Sequence, residues 1–374
     1  MRNNLEIEKQ TNITNKLLPY FIGNEPLANL MVGKLNLTPI QAGLIGLTWG
    51  WFISLVYAFI SNTLLPRNGF TALLQDYEYI ITETGILLLV WGYFVWIVRA
   101  PAEVLQNLEE TKIINFSEKT LEYTTRAFRK RVFEIIPALT AICVGILYVM
   151  SLRVTPLRWL NSSLTFLVLR TILVVIPSVF AGGVIIFRIF VNARVFRIIL
   201  KDVNLHPLHP DRAGGLYSLG HYALTTTYLI AIAGCLGAIL EYGAYVGNFL
   251  GTAYFAHIVM VLYVFIAPLS FFVPLSAAHD AMRRAKDRLI LQIARQFNQD
   301  FLVATENLSV PTNNLKNSVD KVQQLRDLSS IAETFPVWPF DLGTIRRFVI
   351  AIGSPIITIA ISILIDYIKG ILIK

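Results

Sequence analysis

Residues 164–187 read LTFLVLRTILVVIPSVFAGGVIIF, a run in which Arg170 is the one charged residue. About 20 mainly apolar residues are enough to carry an α-helix across the hydrocarbon of a bilayer. A helix on the surface of a soluble domain would show a polar face at a 3.6-residue period. This run has none, so it reads as a membrane span. Six further runs meet the same criterion, near 39–61, 79–98, 133–152, 222–241, 252–277 and 348–367. The first has a clean start: Thr38 can cap, and Pro39 takes the first helical position, where a missing N–H is harmless. The fourth run continues past 187 as FRIFVNARVFRIILK, an arginine-studded helix projecting beyond the bilayer.

The whole chain fits this reading. Of its 374 residues 55% are hydrophobic and only 15% charged, with a mean hydropathy of +0.59. Soluble domains carry roughly 25% charged residues. A disordered chain, a fibrous protein and an ordinary cytosolic enzyme are excluded. The expected fold is all-α: a polytopic membrane protein of seven transmembrane helices with helical cytoplasmic extensions. The two cysteines, Cys143 and Cys235, fall inside apolar runs and make neither a disulfide framework nor a zinc spacing. The polar N-terminus, MRNNLEIEKQTNITNKLL, lacks the apolar core and cleavage site of a signal peptide.

Charge orients the spans. If the N-terminus is cytoplasmic, 26 of the 32 Lys and Arg fall on the cytoplasmic side, and only Arg67, Arg153, Arg158, Lys369 and Lys374 on the other. The positive-inside rule therefore places the N-terminus in the cytoplasm and the C-terminus outside. The net charge of +8 then reports orientation and contact with an anionic leaflet, and nucleic acid is not expected as a partner. The expected divisions are 1–38, a cytoplasmic or interfacial N-terminal segment; 39–277, six spans with cytoplasmic helical loops at 99–132 and 188–221; 278–347, a cytoplasmic helical region; and 348–374, the seventh span with a short outer tail. In 278–347, Leu289, Ile293, Phe297 and Phe301 form one stripe and Val319, Val322, Leu325 and Leu328 another. Such stripes bury against something, either this chain's own loops or a second copy at an assembly platform. The absence of a useful internal repeat weighs against an inverted-repeat transporter.

Four features carry candidate chemistry. In the seventh span Ser354, Thr358, Ser362 and Asp366 recur every four residues, a slowly drifting polar stripe. It either lines a water-filled path, with Asp366 forming a cation-attracting ring around an oligomer axis, or packs helices together. Pro355 leaves a carbonyl without its helix donor and is a candidate kink. Arg170 lies within a span and needs either a route to the interface or a partner; Glu83, Glu241 and Asp366 lie at the matching depth. The loop NLHPLHPDRAGGLYSLGH brings His206, His209, Asp211, Gly214 and Gly215 to the cytoplasmic face, where His279 and Asp280 follow the sixth span. Divalent metal ligation is one reading of these residues. A rigid turn, with Asp211 as cap and the glycines allowing positive φ, is the stronger one. No metal and no cofactor are expected. Last, Ala42, Gly46 and Gly50, and Gly243 with Gly247, permit close helix contact. His257 reads as a hydrogen-bonded packing residue.

The segments HPDRAGGLYSLG (209–220), PLSFFVPLSAAHDAMRRAK (268–286) and FPVWPFD (335–341) resemble a pattern in bacterial multi-pass membrane proteins of unassigned role. The resemblance covers roughly the last half of the chain and implies an integral protein of the bacterial inner membrane. In topology alone the chain is similar to the insect odorant-receptor type of ligand-gated cation channel. That likeness implies a homo-oligomer, a tetramer, with the seventh helix lining the pore and Ser354, Thr358, Ser362 and Asp366 facing it. An oligomeric cation channel is the leading expectation, with the ion or small-molecule ligand open. The alternatives are a secondary transporter of a small solute, with a mid-membrane pocket around Arg170 and His257, and a membrane-embedded enzyme with a cytoplasm-facing His/Asp site.

Overall fold

The computed structural model describes residues 17–23, 25–66, 72–114, 122, 126, 128, 132–154, 159, 163–203, 205, 211, 213–246, 250–306, 313–340 and 342–372. All regular structure among them is helical. The long helices are α1 (Pro39–Ile60), α2 (Tyr77–Glu110), α3 (Val132–Val154), α4 (Leu164–Ile199), α5 (Tyr217–Val246), α6 (Leu250–Glu306), α7 (Asn313–Glu333) and α8 (Leu342–Leu372). Five of them, α1, α2, α4, α5 and α6, contain stretches long and apolar enough to cross a membrane, and α3 contributes the shorter apolar stretch Ile135–Met150. Large apolar side chains such as Ile40, Phe59 and Phe265 face outward. These are the properties of a helical membrane protein, whose solvent is lipid on the sides.

Helix α1 begins as its sequence dictates. The Thr38 hydroxyl accepts from the Gln41 N–H, the Gln41 side chain accepts from the Thr38 N–H, and Pro39 takes the first position. The small-residue face of α1 lies against α2: a Cβ on Gly46 would collide with the Trp91 ring, and one on Gly50 with Leu87. Only hydrogen at these positions lets the two backbones approach so closely.

Prolines inside long helices each leave the carbonyl four residues earlier without its N–H donor. In three cases a side chain supplies one. Pro101 frees the Ile97 carbonyl, which accepts from Asn192 Nδ2 at 3.4 Å. Pro177 frees Leu173, which accepts from the Trp49 indole at 3.1 Å. Pro355 frees Ala351, which accepts from Ser354 Oγ at 2.9 Å. In hydrocarbon water is scarce, so such donors lower the cost of a proline within a span. Thr171–Val175 of α4, just before Pro177, is wound as a π-turn, a common accommodation at such places.

The apolar block ends near 277, yet α6 runs unbroken to Glu306, 57 residues or about 85 Å in all. A bilayer accounts for roughly 30 Å of this. The remainder projects and packs against α7. Leu289, Ile293, Phe297, Val322 and Leu325 are half-buried along this hairpin, whereas Phe301, Val319 and Leu328 are exposed. The two stripes thus cover each other in part.

Candidate functional site

Arg170 is 1% exposed, at the end of the first turns of α4. Its guanidinium donates through Nη2 to Glu83 Oε1 at 2.7 Å and to Tyr79 Oη at 2.6 Å. Nη1 donates to Tyr148 Oη at 2.8 Å and Nε to Ser54 Oγ at 3.3 Å. Ser54 and Tyr79 are themselves hydrogen-bonded at 2.9 Å. Four of the five N–H donors of the fork are used. Ser54 belongs to α1, Tyr79 and Glu83 to α2, and Tyr148 to α3, so one cation joins four helices. The Tyr79 and Tyr148 rings also lie 5.3 and 5.9 Å from the guanidinium carbon. Fully buried Trp159 meets both Tyr79 and Tyr57 edge-on and closes the cluster. Of the three carboxylates at the depth of Arg170, Glu83 is its partner. Glu241 instead lies 2.6 Å from His257 Nδ1 at the adjoining ends of α5 and α6.

A second arginine at the other end of α4 is built differently, and sequence reasoning counted it only as a topology charge. Arg188 is 2% exposed. Its Nη2 donates to Glu25 Oε2 at 2.8 Å and to the Ile22 carbonyl at 3.1 Å, and Nη1 donates to the Phe21 carbonyl at 2.9 Å. Phe128 lies against the guanidinium at 5.2 Å. The N-terminal segment is thereby fastened to α4, with Leu17, Leu18, Phe21 and Ile22 buried in the main core. One turn further, Asn192 donates to Tyr222 Oη at 2.9 Å as well as to the carbonyl freed by Pro101.

The described parts of segments 211–220, 268–286 and 335–340 meet in one place. Asp211 accepts from the N–H groups of Ala213 and Gly215 through Oδ1, at 2.9 and 3.0 Å, and from Tyr217 through Oδ2 at 3.3 Å. It caps α5 while Gly214 and Gly215 turn the chain with φ of +64° and +94°. A Cβ on Gly214 would press on the Phe335 ring at 3.2 Å, and one on Gly220 on the Pro339 carbonyl at 2.6 Å. The loop therefore underlies the strap 334–340 that connects α7 to α8. From α6, Lys286 Nζ donates to the Glu333 and Phe335 carbonyls at 2.5 and 3.2 Å, neutralising the C-terminal end of α7. His279 donates from Nδ1 to the Val337 carbonyl at 2.8 Å and stacks on Trp338 at 4.1 Å. Asp280 lies 3.8 Å from Arg197 in a half-exposed pair. His206 and His209 lie outside the described residues, and among those described no group of three His, Cys, Asp or Glu is placed to hold a metal ion.

The strap passes its aromatic contacts on to α8. Trp338 meets Phe340, Phe340 meets Phe271 of α6, and Phe271 stacks on Phe348 of α8 at 4.2 Å. Helix α8 then runs along α5. Ser354 Oγ is 3.7 Å from Cys235 Sγ of α5, and the Ile352 carbonyl accepts from Tyr263 of α6 at 3.0 Å. Away from this contact α8 presents Ile350, Ile357, Ile361, Leu364 and Ile368, all exposed, as one apolar stripe. Thr358, Ser362 and Asp366 are on the same helix, with side chains outside the described set.

Chemically, Arg170 and Arg188 are buried cations whose donors are taken up by protein acceptors. They act as fasteners for α1–α4 and the N-terminal segment. The aromatic strap is a mechanical joint between the projecting hairpin and α8. No family model, no curated protein and no solved structure matches the chain.

Proposed function

We propose that this chain is one subunit of an oligomeric, cation-conducting channel of the bacterial inner membrane, and that α8 forms the pore wall. In this reading the seven spans are α1 to α6 and α8. The N-terminus is cytoplasmic, the C-terminus is outside, and the α6–α7 hairpin is the cytoplasmic assembly platform. The observation that carries it is the placing of α8: the helix rests on α5 and α6, and among its described side chains Ile350, Ile357, Ile361, Leu364 and Ile368 form an open stripe. A second copy packing on that stripe would bring Thr358, Ser362 and Asp366 toward a shared axis, while Ser354 stays at the contact with Cys235 of α5. The exposed Phe301, Val319 and Leu328 of the hairpin supply a second apolar contact below it. The strap, stacked on His279 and continuous with Phe348, would transmit movement of the hairpin to α8, as a ligand-gated channel requires.

The experiment is current recording from purified protein in planar bilayers. Cation-selective conductance is expected, with Asp366→Asn reducing the preference for cations over anions by about fivefold, or about 1 kcal/mol in the electrostatic barrier. Unchanged selectivity in Asp366→Asn discards the carboxylate ring. Silent bilayers containing assembled protein discard the channel.

A further inference from the structure

We infer that the N-terminal segment and helices α2, α3 and α4 form a binding site for one anionic phospholipid. The site is a trough with two unlike ends. Its apolar end, about 440 Å³, is walled by Trp91 of α2, Ala141 and Ile142 of α3, and Ile176 and Phe180 of α4, with Leu30 of the N-terminal segment across the top. The second end, about 940 Å³, shares Pro26 and Leu30 with the first and is lined by Asn29, Lys34 and Asn36 together with Leu18, Ile22 and Val32. Volumes in this range suit an organic ligand.

The charge is at the right end and the right depth. Lys34 is the cation among the lining residues of the polar end, and Arg99 donates from Nη2 to Asn36 Oδ1 at 2.6 Å, holding that amide in place. The Lys34 ammonium and the side-chain amides of Asn29 and Asn36 are donors that phosphate oxygens can accept from. Trp91 precedes Arg99 by eight residues, so the apolar end lies about 12 Å along α2 from Arg99. That offset separates a headgroup from the middle of its own acyl chain. A helix from another subunit laid in the same trough would bury Lys34 against nothing of opposite charge. An amphiphile with a negative head satisfies both ends at once, and Lys and Arg at a span's end favour anionic headgroups.

The shape of the segment also fits a lipid clamp. Pro26–Ala28 continues into the π-wound turn Asn29–Lys34. The Arg188–Glu25 pair holds this hook at its base, just before Pro26. The bound tail would then support its free side.

The test uses the full-length protein in micelles with phospholipids carrying brominated acyl chains, which quench nearby tryptophans. Trp91→Phe isolates the Trp91 signal by difference. Brominated phosphatidylglycerol is expected to quench Trp91 at a mole fraction at least fivefold lower than phosphatidylcholine with the same chains. Lys34→Gln is expected to erase that preference, and Leu30→Trp, which fills the trough, to remove native-mass adducts of one phosphatidylglycerol per chain. Equal quenching by the two lipids would overturn the site, since ordinary boundary lipid explains it. A preference that survives Lys34→Gln would overturn the placing of the headgroup.

Discussion

Arg170 and Arg188 sit 18 residues apart on α4, about 27 Å along its axis. Both are buried, and both pair with one glutamate. They differ in what completes the shell. Arg170 is held by hydroxyls of Ser54, Tyr79 and Tyr148, side chains from three other helices. Arg188 is held by two backbone carbonyls of the N-terminal segment. The first shell depends on residue identity at several points. The second depends on the path of the chain and leaves only Glu25 open to substitution. One arginine therefore fastens helices to one another, and the other fastens a terminal segment to a helix already in place.

That contrast can be broken by mutation. The largest effect is expected for Glu83→Ala. It strands a buried guanidinium, and breaking such a pair costs about 3–5 kcal/mol. The measurement is unfolding in mixed micelles, and restoration of stability in the double variant Arg170→Met with Glu83→Met would show that the stranded charge causes the loss. Glu25→Gln is expected to cost less, about 1.5–3 kcal/mol, because the carbonyls of Phe21 and Ile22 stay in place. Hydrogen exchange should then rise over residues 17–34 and remain unchanged in α1 and α2. An equal rise in α1 would mean that the two fasteners form one unit. Tyr148→Phe removes one neutral partner of a charged group, at about 1.5 kcal/mol. Its coupling to Glu83→Ala in a double-mutant cycle should exceed 0.5 kcal/mol. The smallest change, about 1 kcal/mol, is expected for Trp49→Phe, which takes the donor from the carbonyl freed by Pro177 between the two arginines.

The same two arginines show how far a sequence can be read. Arg170 stands out because everything within six residues on either side is uncharged, and Glu83 was one of three carboxylates at its depth. Arg188 is masked by Arg194 and Arg197 beyond it, and a rule that counts cations cannot separate a solvated one from a buried one. A signal was present: Ala181, Val184, Ile185, Arg188, Ile189, Asn192, Val195 and Phe196 fall on one helical face, and all are buried. Polar residues that interrupt an apolar stripe in register are candidates for buried partners. The partner could not be read, since Glu25 is 163 residues away. Similar limits apply to α6 and to the strap. Apolar blocks mark where lipid ends, and α6 continues beyond 277 because its backbone bonds are internal to the helix. The HPDRAGGLYSLG and FPVWPFD segments were visible as motifs, and their common reason, a glycine turn packed under an aromatic strap, needed the fold.

The helices that the arginines leave unfastened are α5 to α8, and the proposed channel rests on α8 being completed by another subunit. The direct measurement is disulfide trapping in native membranes. Ile361, exposed on the apolar stripe of α8, is changed to Cys on a background with Cys143 and Cys235 replaced by Ala. Oxidation is expected to give covalent dimers through α8, and native mass analysis of the same protein in nanodiscs a single closed assembly, a tetramer. A chain that stays monomeric in nanodiscs and yields no cross-link at Ile361 would contradict the account.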